Sequence, residues 1–172
     1  MGFVNALHYW KAIFERKMKP LCIHTEAVMV DEVWEIIKQK SKEGKIHIWN
    51  IMTPENYEYF KSSFNVKLSK EELSAKMKER YLWMKNHGEK LELHIHFSII
   101  MNMSLVEQEK LIKNSIDWMK NELEVTPKEI VCGWWCFNED TLKLLKKYNL
   151  KLVKFRDYTS EHDYEWVFNP KL

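Results

Sequence analysis

Glycine, proline and cysteine are scarce in this 172-residue sequence, which contains four Gly, four Pro and three Cys. The cysteines are Cys22, Cys132 and Cys136, an odd number without a CxxC pair, which argues against a disulfide framework. Because Gly and Pro are so few, each one that occurs is informative about where a helix or strand ends.

Long hydrophobic runs and an excess of charge of one sign are also missing. No run approaches the roughly 18 apolar residues of a membrane span, and His8 and Lys11 interrupt the start too early for a signal peptide. The 27 basic residues nearly balance the 25 acidic ones, so electrostatics predict neither a nucleic-acid nor a membrane-surface partner. We therefore expect a soluble, cytoplasmic protein.

Strand and helix patterns alternate along the chain with short connections. Predicted strands lie at 21–26, 46–52, 91–97, 129–135, 150–155 and 164–168, and predicted helices at 3–17, 31–43, 54–60, 69–88, from 104 onward and at 139–148. Two of these helices begin with capping boxes, Ser69-x-x-Glu72 and Ser104-x-x-Glu107. This order favours one α/β domain over 1–172, with an N-terminal helix in 1–19 and a core of 20–168. The core is a mostly parallel sheet with alternating helices.

Two predicted strands each carry potential metal ligands on one face. Residues two apart share a strand face, which places His94 with His96, and His24 with Glu26. In parallel α/β folds, sites collect at the carboxyl ends of strands. Three such ligands and a water suit a catalytic Zn²⁺, although a lone strand histidine is more often a hydrogen-bonded core residue.

The remaining candidates have less specific patterns. His24 or Asp157 could act as the base, since imidazole titrates near neutrality and burial can tune a carboxylate. The alternative for Asp157 is a solvated charge after Arg156. Eight Trp are more than a core of this size requires, so some are expected to line a groove. Of the adjacent Trp134 and Trp135, one is expected in the core and the other could stack on a sugar ring.

The stretch 84–94 resembles the second motif of the NodB-type polysaccharide deacetylases. In that family a helix ends in a Gly-containing turn, and a metal-binding His follows six residues after the Gly, a spacing that Gly88 and His94 keep. The segments 21–26 and 133–138 are similar to the first and third motifs. Residues 157–166 look faintly like a later Asp- and Trp-containing segment.

The resemblance implies a distorted or incomplete (β/α) barrel, one divalent metal (Zn²⁺, with Co²⁺ or Ni²⁺ as alternatives) and removal of acetyl groups from a carbohydrate or a small acetylated substrate. The family's first-motif Asp-Asp pair, base and metal ligand, is replaced by Thr25-Glu26. Its second histidine falls on Ser98, so His96 would substitute. The expected metal ligands are then Glu26, His94 and His96.

Three functions follow as alternatives. The chain could be a metal-dependent hydrolase of the deacetylase type. It could instead be a catalytically silent relative that binds metal or carbohydrate. It could also be a minimal domain that forms a homo-oligomer, because an incomplete barrel leaves an open strand edge to be covered.

Overall fold

The computed structural model describes residues 21–44, 47–96, 103–153 and 163–166. Within these ranges the strands are β1 (Leu21–Thr25), β2 (His47–Ile51), β3 (Lys90–Ile95), β4 (Glu129–Cys132), β5 (Lys151–Leu152) and β6 (Asp163–Trp166). The α-helices are α1 (Asp31–Lys40), α2 (Tyr57–Phe64), α3 (Lys70–Asn86), α4 (Leu105–Leu123) and α5 (Glu139–Lys147), with 3₁₀ turns at Pro54–Asn56 and Gly133–Trp135.

The strands form one sheet in the order β5-β4-β3-β2-β1-β6, and every neighbouring pair is parallel. Each strand from β2 to β5 lies beside the strand that precedes it in the chain, and β6 returns to pair with β1. Crossovers of one hand between consecutive neighbours place the helices on one face of a sheet. The described strands therefore form an α/β parallel sheet in the order of a barrel that lacks pairing between β5 and β6, which confirms the predicted fold class.

The hydrophobic core lies on one face of the sheet. The alternate strand residues Ile23, Trp49, Leu93 and Ile130 are buried in a single cluster with apolar side chains of the helices. The other face is polar although it is also buried, since the register aligns His24 with Asn50, and Asn50 with Glu92. The two-residue period of the strands thus separates a packing face from a face suited to chemistry.

Both predicted capping boxes are present at the starts of α3 and α4. The Ser69 and Ser104 hydroxyls accept hydrogen bonds from the backbone N–H groups of Glu72 and Glu107, and the glutamate side chains accept from the serine backbone. Gly88 follows α3 with a φ of +84°, a conformation that glycine adopts without steric cost. These local signals correctly placed the helix that leads into β3.

The predicted strand 129–135 is too long. β4 ends at Cys132, and Gly133–Trp135 forms a 3₁₀ turn in which Trp134 has a φ of 50°. A left-handed residue cannot continue an extended strand, so the prediction that Trp134 and Trp135 belong to a strand is wrong. β5 is likewise shorter than the predicted 150–155.

Some expectations fall outside the described residues. They include the N-terminal helix at 3–17, and the division of the chain into one domain stays a prediction. None of the helices in the described ranges is long and apolar enough to cross a membrane.

Candidate metal site

Glu26, His94 and His96 come together at the carboxyl ends of two strands. Glu26 directly follows β1, His94 lies in β3 and His96 directly follows β3. One potential ligand atom from each residue lies within 4.8 Å of those of the other two, and all three side chains are buried. The tertiary structure therefore places the three predicted ligands as a cluster that could hold a metal ion, on the sheet edge where such sites collect.

One carboxylate oxygen of Glu26 faces both imidazoles. Its Oε1 is 2.7 Å from His96 Nε2 and 3.7 Å from His94 Nε2. Neither ring nitrogen of His94 has a hydrogen-bond partner within the described part of the chain, and neither does His96 Nδ1. Since buried polar atoms are normally satisfied, the Nε2 atom of His94, which faces Glu26, fits a site that is completed by a ligand.

The electrostatics favour the protonation states that metal binding requires. Burial raises the pKa of the Glu26 carboxyl, but interactions with His94 and His96 outweigh burial and hold that pKa well below its ordinary range. Burial lowers the pKa of His94 to about 4. At neutral pH the cluster therefore holds a carboxylate and a neutral His94 imidazole, both with lone pairs for a cation.

His24 lies beside the cluster without belonging to the group of three. Its ring centroid is 4.7 Å from that of His94, with the rings edge-on at 73°. Burial, and then the proximity of His94, lower the pKa of His24 to about 3. His24 therefore lies at this site, as predicted, but through contact with the His94 ring.

The His96 imidazole is enclosed by aromatic side chains and a glycine. The Tyr59 ring stacks on it at a centroid distance of 4.1 Å and an angle of 17°, and Trp134 contacts it edge-on at 5.0 Å. A Cβ atom added to Gly133 would lie 2.5 Å from three atoms of the His96 ring. The His96 ring can therefore occupy its observed position only because residue 133 has no side chain.

Tyr59 and Asn56 also contact the cluster by hydrogen bonds, and sequence reasoning missed both. The Tyr59 hydroxyl donates to Glu26 Oε2 at 2.5 Å, and Asn56 Nδ2 donates to the backbone carbonyl of His96 at 2.9 Å. Their partners lie at least 33 positions away along the chain. No local pattern marks such contacts, because they depend on how α2 packs over the strand ends.

Two other polar strand residues, Glu92 in β3 and His47 in β2, have structural partners. Glu92, on the His94 face, accepts hydrogen bonds from the backbone N–H groups of Lys128 and Glu129 at 2.6 and 2.9 Å. His47 contacts Glu89 through Nδ1 at 3.2 Å. Glu92 therefore anchors the start of β4, and His47 fits the core-histidine alternative.

The structure places one of the two predicted tryptophans at the site. Trp134 is 56% exposed and contacts both His96 and Tyr59, the latter at a centroid distance of 5.9 Å. A left-handed φ in a non-glycine residue is strained and such strain concentrates at functional sites. The side chain of Trp135 and all of Asp157 lie outside the part of the chain that the structure describes.

No family model matches the sequence, and no curated protein matches it. Among solved structures, the fold is similar to that of a family 4 carbohydrate esterase from Streptomyces lividans in complex with acetate, with a TM-score of 0.53 at 12% identity over 78% of this chain and 60% of that chain.

Two further solved structures show the same similarity. A family 4 pseudoenzyme from Bacillus anthracis has a TM-score of 0.54 at 9% identity, over 79% of this chain and 42% of that chain. The peptidoglycan deacetylase PdaC from Bacillus subtilis has a TM-score of 0.52 at 12% identity, over 80% of this chain and 58% of that chain. The present chain thus spans about two fifths to three fifths of these proteins.

The described residues define an incomplete parallel (β/α) barrel with a buried carboxylate–histidine cluster at the carboxyl ends of its strands. More particularly, the fold is that of the family 4 carbohydrate esterases, which include both deacetylases and pseudoenzymes. The resemblance found in the sequence is therefore confirmed for the fold. At 9–12% identity, it is the fold that these comparisons establish.

Proposed function

We propose that this protein is a metal-dependent hydrolase that removes acetyl groups from a carbohydrate or a related amide or ester. The observation that carries the proposal is the Glu26, His94 and His96 cluster, whose donor atoms lie within 4.8 Å of one another. The esterase fold around the cluster supports the same reaction class. The substrate itself is proposed by analogy with the solved proteins, which are similar in fold.

The donor set suits one divalent ion. Two imidazoles and a carboxylate are a common set for catalytic Zn²⁺, with a position left for water or substrate, and Co²⁺ and Ni²⁺ accept the same donors. Glu26, His94 and His96 would hold the ion, which when bound would polarise a substrate carbonyl and acidify water. The neutral His94 and ionised Glu26 require no proton loss before binding a cation at neutral pH.

The chain's other residues would handle the substrate and the proton. Trp134 has an exposed ring next to His96, where it could stack on a sugar face. His24, whose pKa is lowered to about 3, is neutral at pH 7 and could accept a proton. Asp157 stays a proposed alternative for the base.

A second candidate function is a catalytically silent relative that binds metal or carbohydrate. The observation that favours it is Thr25, which stands where the resembled family carries its base and is fully buried. The low pKa of His24 also makes that imidazole a weak base. One solved neighbour is itself a pseudoenzyme, so this fold is compatible with either outcome.

Isothermal titration of metal-free protein with Zn²⁺, Co²⁺ and Ni²⁺ tests the metal site. We expect one ion per chain, and we expect the His94→Ala, His96→Ala double variant to lose the tight binding. His87→Ala is the matched control, since it removes an exposed imidazole from the end of α3 and should bind as the parent does. Binding by the parent no tighter than by the double variant would refute the site.

Acetate release from acetylated chito-oligosaccharides and acetylated xylan then separates the two candidate functions. The hydrolase proposal predicts release by the metal-loaded parent that is lost in the double variant. Tight metal binding without release on either substrate class would favour the silent relative. Homo-oligomerisation through the open sheet edge stays a prediction alongside both.

A further inference from the structure

We propose that Tyr59 is a positioning residue that holds Glu26 and His96 in the orientation required for metal binding. The inference rests on the proposed metal site and deepens it. Tyr59 lies in α2, outside the two strands that supply the ligands. Its side chain nevertheless touches a ligand from each of those strands.

The first contact fixes the carboxylate. The Tyr59 hydroxyl donates to Glu26 Oε2 at 2.5 Å, while the other oxygen, Oε1, faces the imidazoles at 2.7 and 3.7 Å. The two oxygens therefore have different partners, and rotation of the carboxylate would break both arrangements. Burial and the neighbouring Glu26 carboxylate raise the pKa of the Tyr59 phenol above its ordinary value, so the hydroxyl stays protonated and donates at neutral pH.

The second contact fixes the imidazole. The Tyr59 ring lies nearly parallel to that of His96, 17° apart at 4.1 Å. Rotation of the His96 ring about its Cβ–Cγ bond would drive it into the tyrosine. Gly133 also lies against this ring, with room for no Cβ.

The segment 56–59, which contains Tyr59, also holds the backbone of His96. Asn56, three residues before Tyr59, donates from Nδ2 to the His96 carbonyl at 2.9 Å. His96 lies just beyond the end of β3, so this hydrogen bond ties the backbone that follows the strand to the turn before α2. A short stretch of chain therefore controls both the ring and the backbone of one ligand, together with the carboxylate of another.

A purely structural role is the competing explanation. Tyr59 also packs edge-on against Phe60 and Phe64, at centroid distances of 6.1 and 5.8 Å. If packing alone mattered, phenylalanine would serve equally well at this position. Only the positioning role requires the hydroxyl.

The test compares Tyr59→Phe with Tyr57→Phe, a matched control in the same helix. Each substitution removes one hydroxyl with one hydrogen bond, since Tyr57 donates to the Leu68 carbonyl at 2.8 Å, away from the cluster. Partners that orient metal ligands typically contribute 10–100-fold to metal affinity. We expect Tyr59→Phe to raise the Zn²⁺ dissociation constant by about that factor, while Tyr57→Phe leaves it unchanged.

A second readout separates positioning from stability. The visible absorption spectrum of Co²⁺-saturated protein reports the ligand geometry, and we expect its bands to shift for Tyr59→Phe and not for Tyr57→Phe. Thermal unfolding of the metal-free proteins sets one common temperature for all titrations, well below the lowest midpoint. A destabilised variant can thereby still be titrated in its folded state.

The outcomes distinguish this inference from the proposed function. If the parent binds Zn²⁺ tightly and Tyr59→Phe matches it in affinity and in Co²⁺ spectrum, the positioning role is refuted and the metal site stands. If the parent binds no metal, the proposed function fails and the inference fails with it. Equal loss of affinity in both variants would also overturn the inference, because it would show a general effect of destabilising α2.

Discussion

At the scale of the residue, the site depends on one carboxylate that lies between two imidazoles. Glu26 carries the negative charge, and buried His94 stays neutral because burial lowers its pKa to about 4. The metal-free protein therefore carries the negative charge of Glu26 at this site, and this charge attracts a cation. A buried charge of this kind persists only where hydrogen bonds compensate it, and His96 and Tyr59 supply them.

Gly133 offers a test of how tightly His96 is held. A methyl group at this position would lie 2.5 Å from the His96 ring, so we expect Gly133→Ala to displace the imidazole and weaken Zn²⁺ binding by roughly tenfold or more. Titration calorimetry measures the change. The reason is steric, since Gly133 itself lacks a left-handed φ.

Gly44→Ala is the control for Gly133→Ala. Gly44 has a φ of +68° with nothing within 4 Å of an added Cβ, so alanine there costs about 1 kcal/mol of backbone strain. It should lower stability and leave metal affinity unchanged. Parent-like affinity in Gly133→Ala would show that His96 can shift without consequence.

At the scale of the element, β1 and β3 position the three proposed ligands, while β2 lies between these two strands in the sheet. Strands two places apart in a sheet are about 9.5 Å from each other, so the donors meet only because long side chains reach across the end of β2. The helices pack against the opposite face of the sheet, and α3 and α4 begin with capping boxes. α3 leads directly into β3, which makes its start relevant to the site.

The capping boxes predict a measurable contribution to stability. Ser69→Ala and Ser104→Ala each remove a hydroxyl that accepts a backbone N–H, and we expect each to lower the free energy of unfolding by about 1 kcal/mol. Urea denaturation measures the loss. Ser62→Ala is the control, since this serine lies inside α2, where alanine favours the helix; a loss there equal to that at the caps would contradict the explanation.

At the scale of the whole molecule, the buried histidines link stability to pH. Burial lowers the pKa values of His24 and His94 to about 3 and about 4 in the folded protein, whereas both would titrate near 6.5 when unfolded. Between these values the unfolded chain binds more protons than the folded one. Stability is therefore fully present above about pH 6.5 and falls as the pH drops.

We expect each of these histidines to contribute a slope of up to about 1.4 kcal/mol per pH unit below pH 6.5 in metal-free protein. Glu26 acts in the same direction at lower pH, because its folded pKa is depressed. Denaturation midpoints from pH 7.5 to 4.5 check the slope, and His24→Asn should reduce it. A stability that stays constant over this range would refute the neutral, buried state of the two imidazoles.

Much of the architecture is predictable because its signals are local. The alternation within each strand places His24 with Glu26 and His94 with His96 through backbone geometry alone, and the caps of α3 and α4 are hydrogen bonds between residues three apart. Trp134 could not be placed in this way. Its turn is not marked by any proline or by glycine at the left-handed position itself.

The sequence by itself determined the parallel α/β order, the starts of two helices and the strand face that each ligand occupies. Only the tertiary structure decided that His24 contacts the cluster through the His94 ring and that Glu92 accepts hydrogen bonds from the start of β4. It also decided that Tyr59 contacts both Glu26 and His96. The physical reason is distance along the chain. Backbone periodicity and capping act over a few residues, whereas the contacts that complete the site connect positions 33 or more apart and exist only once the strands and α2 have packed together.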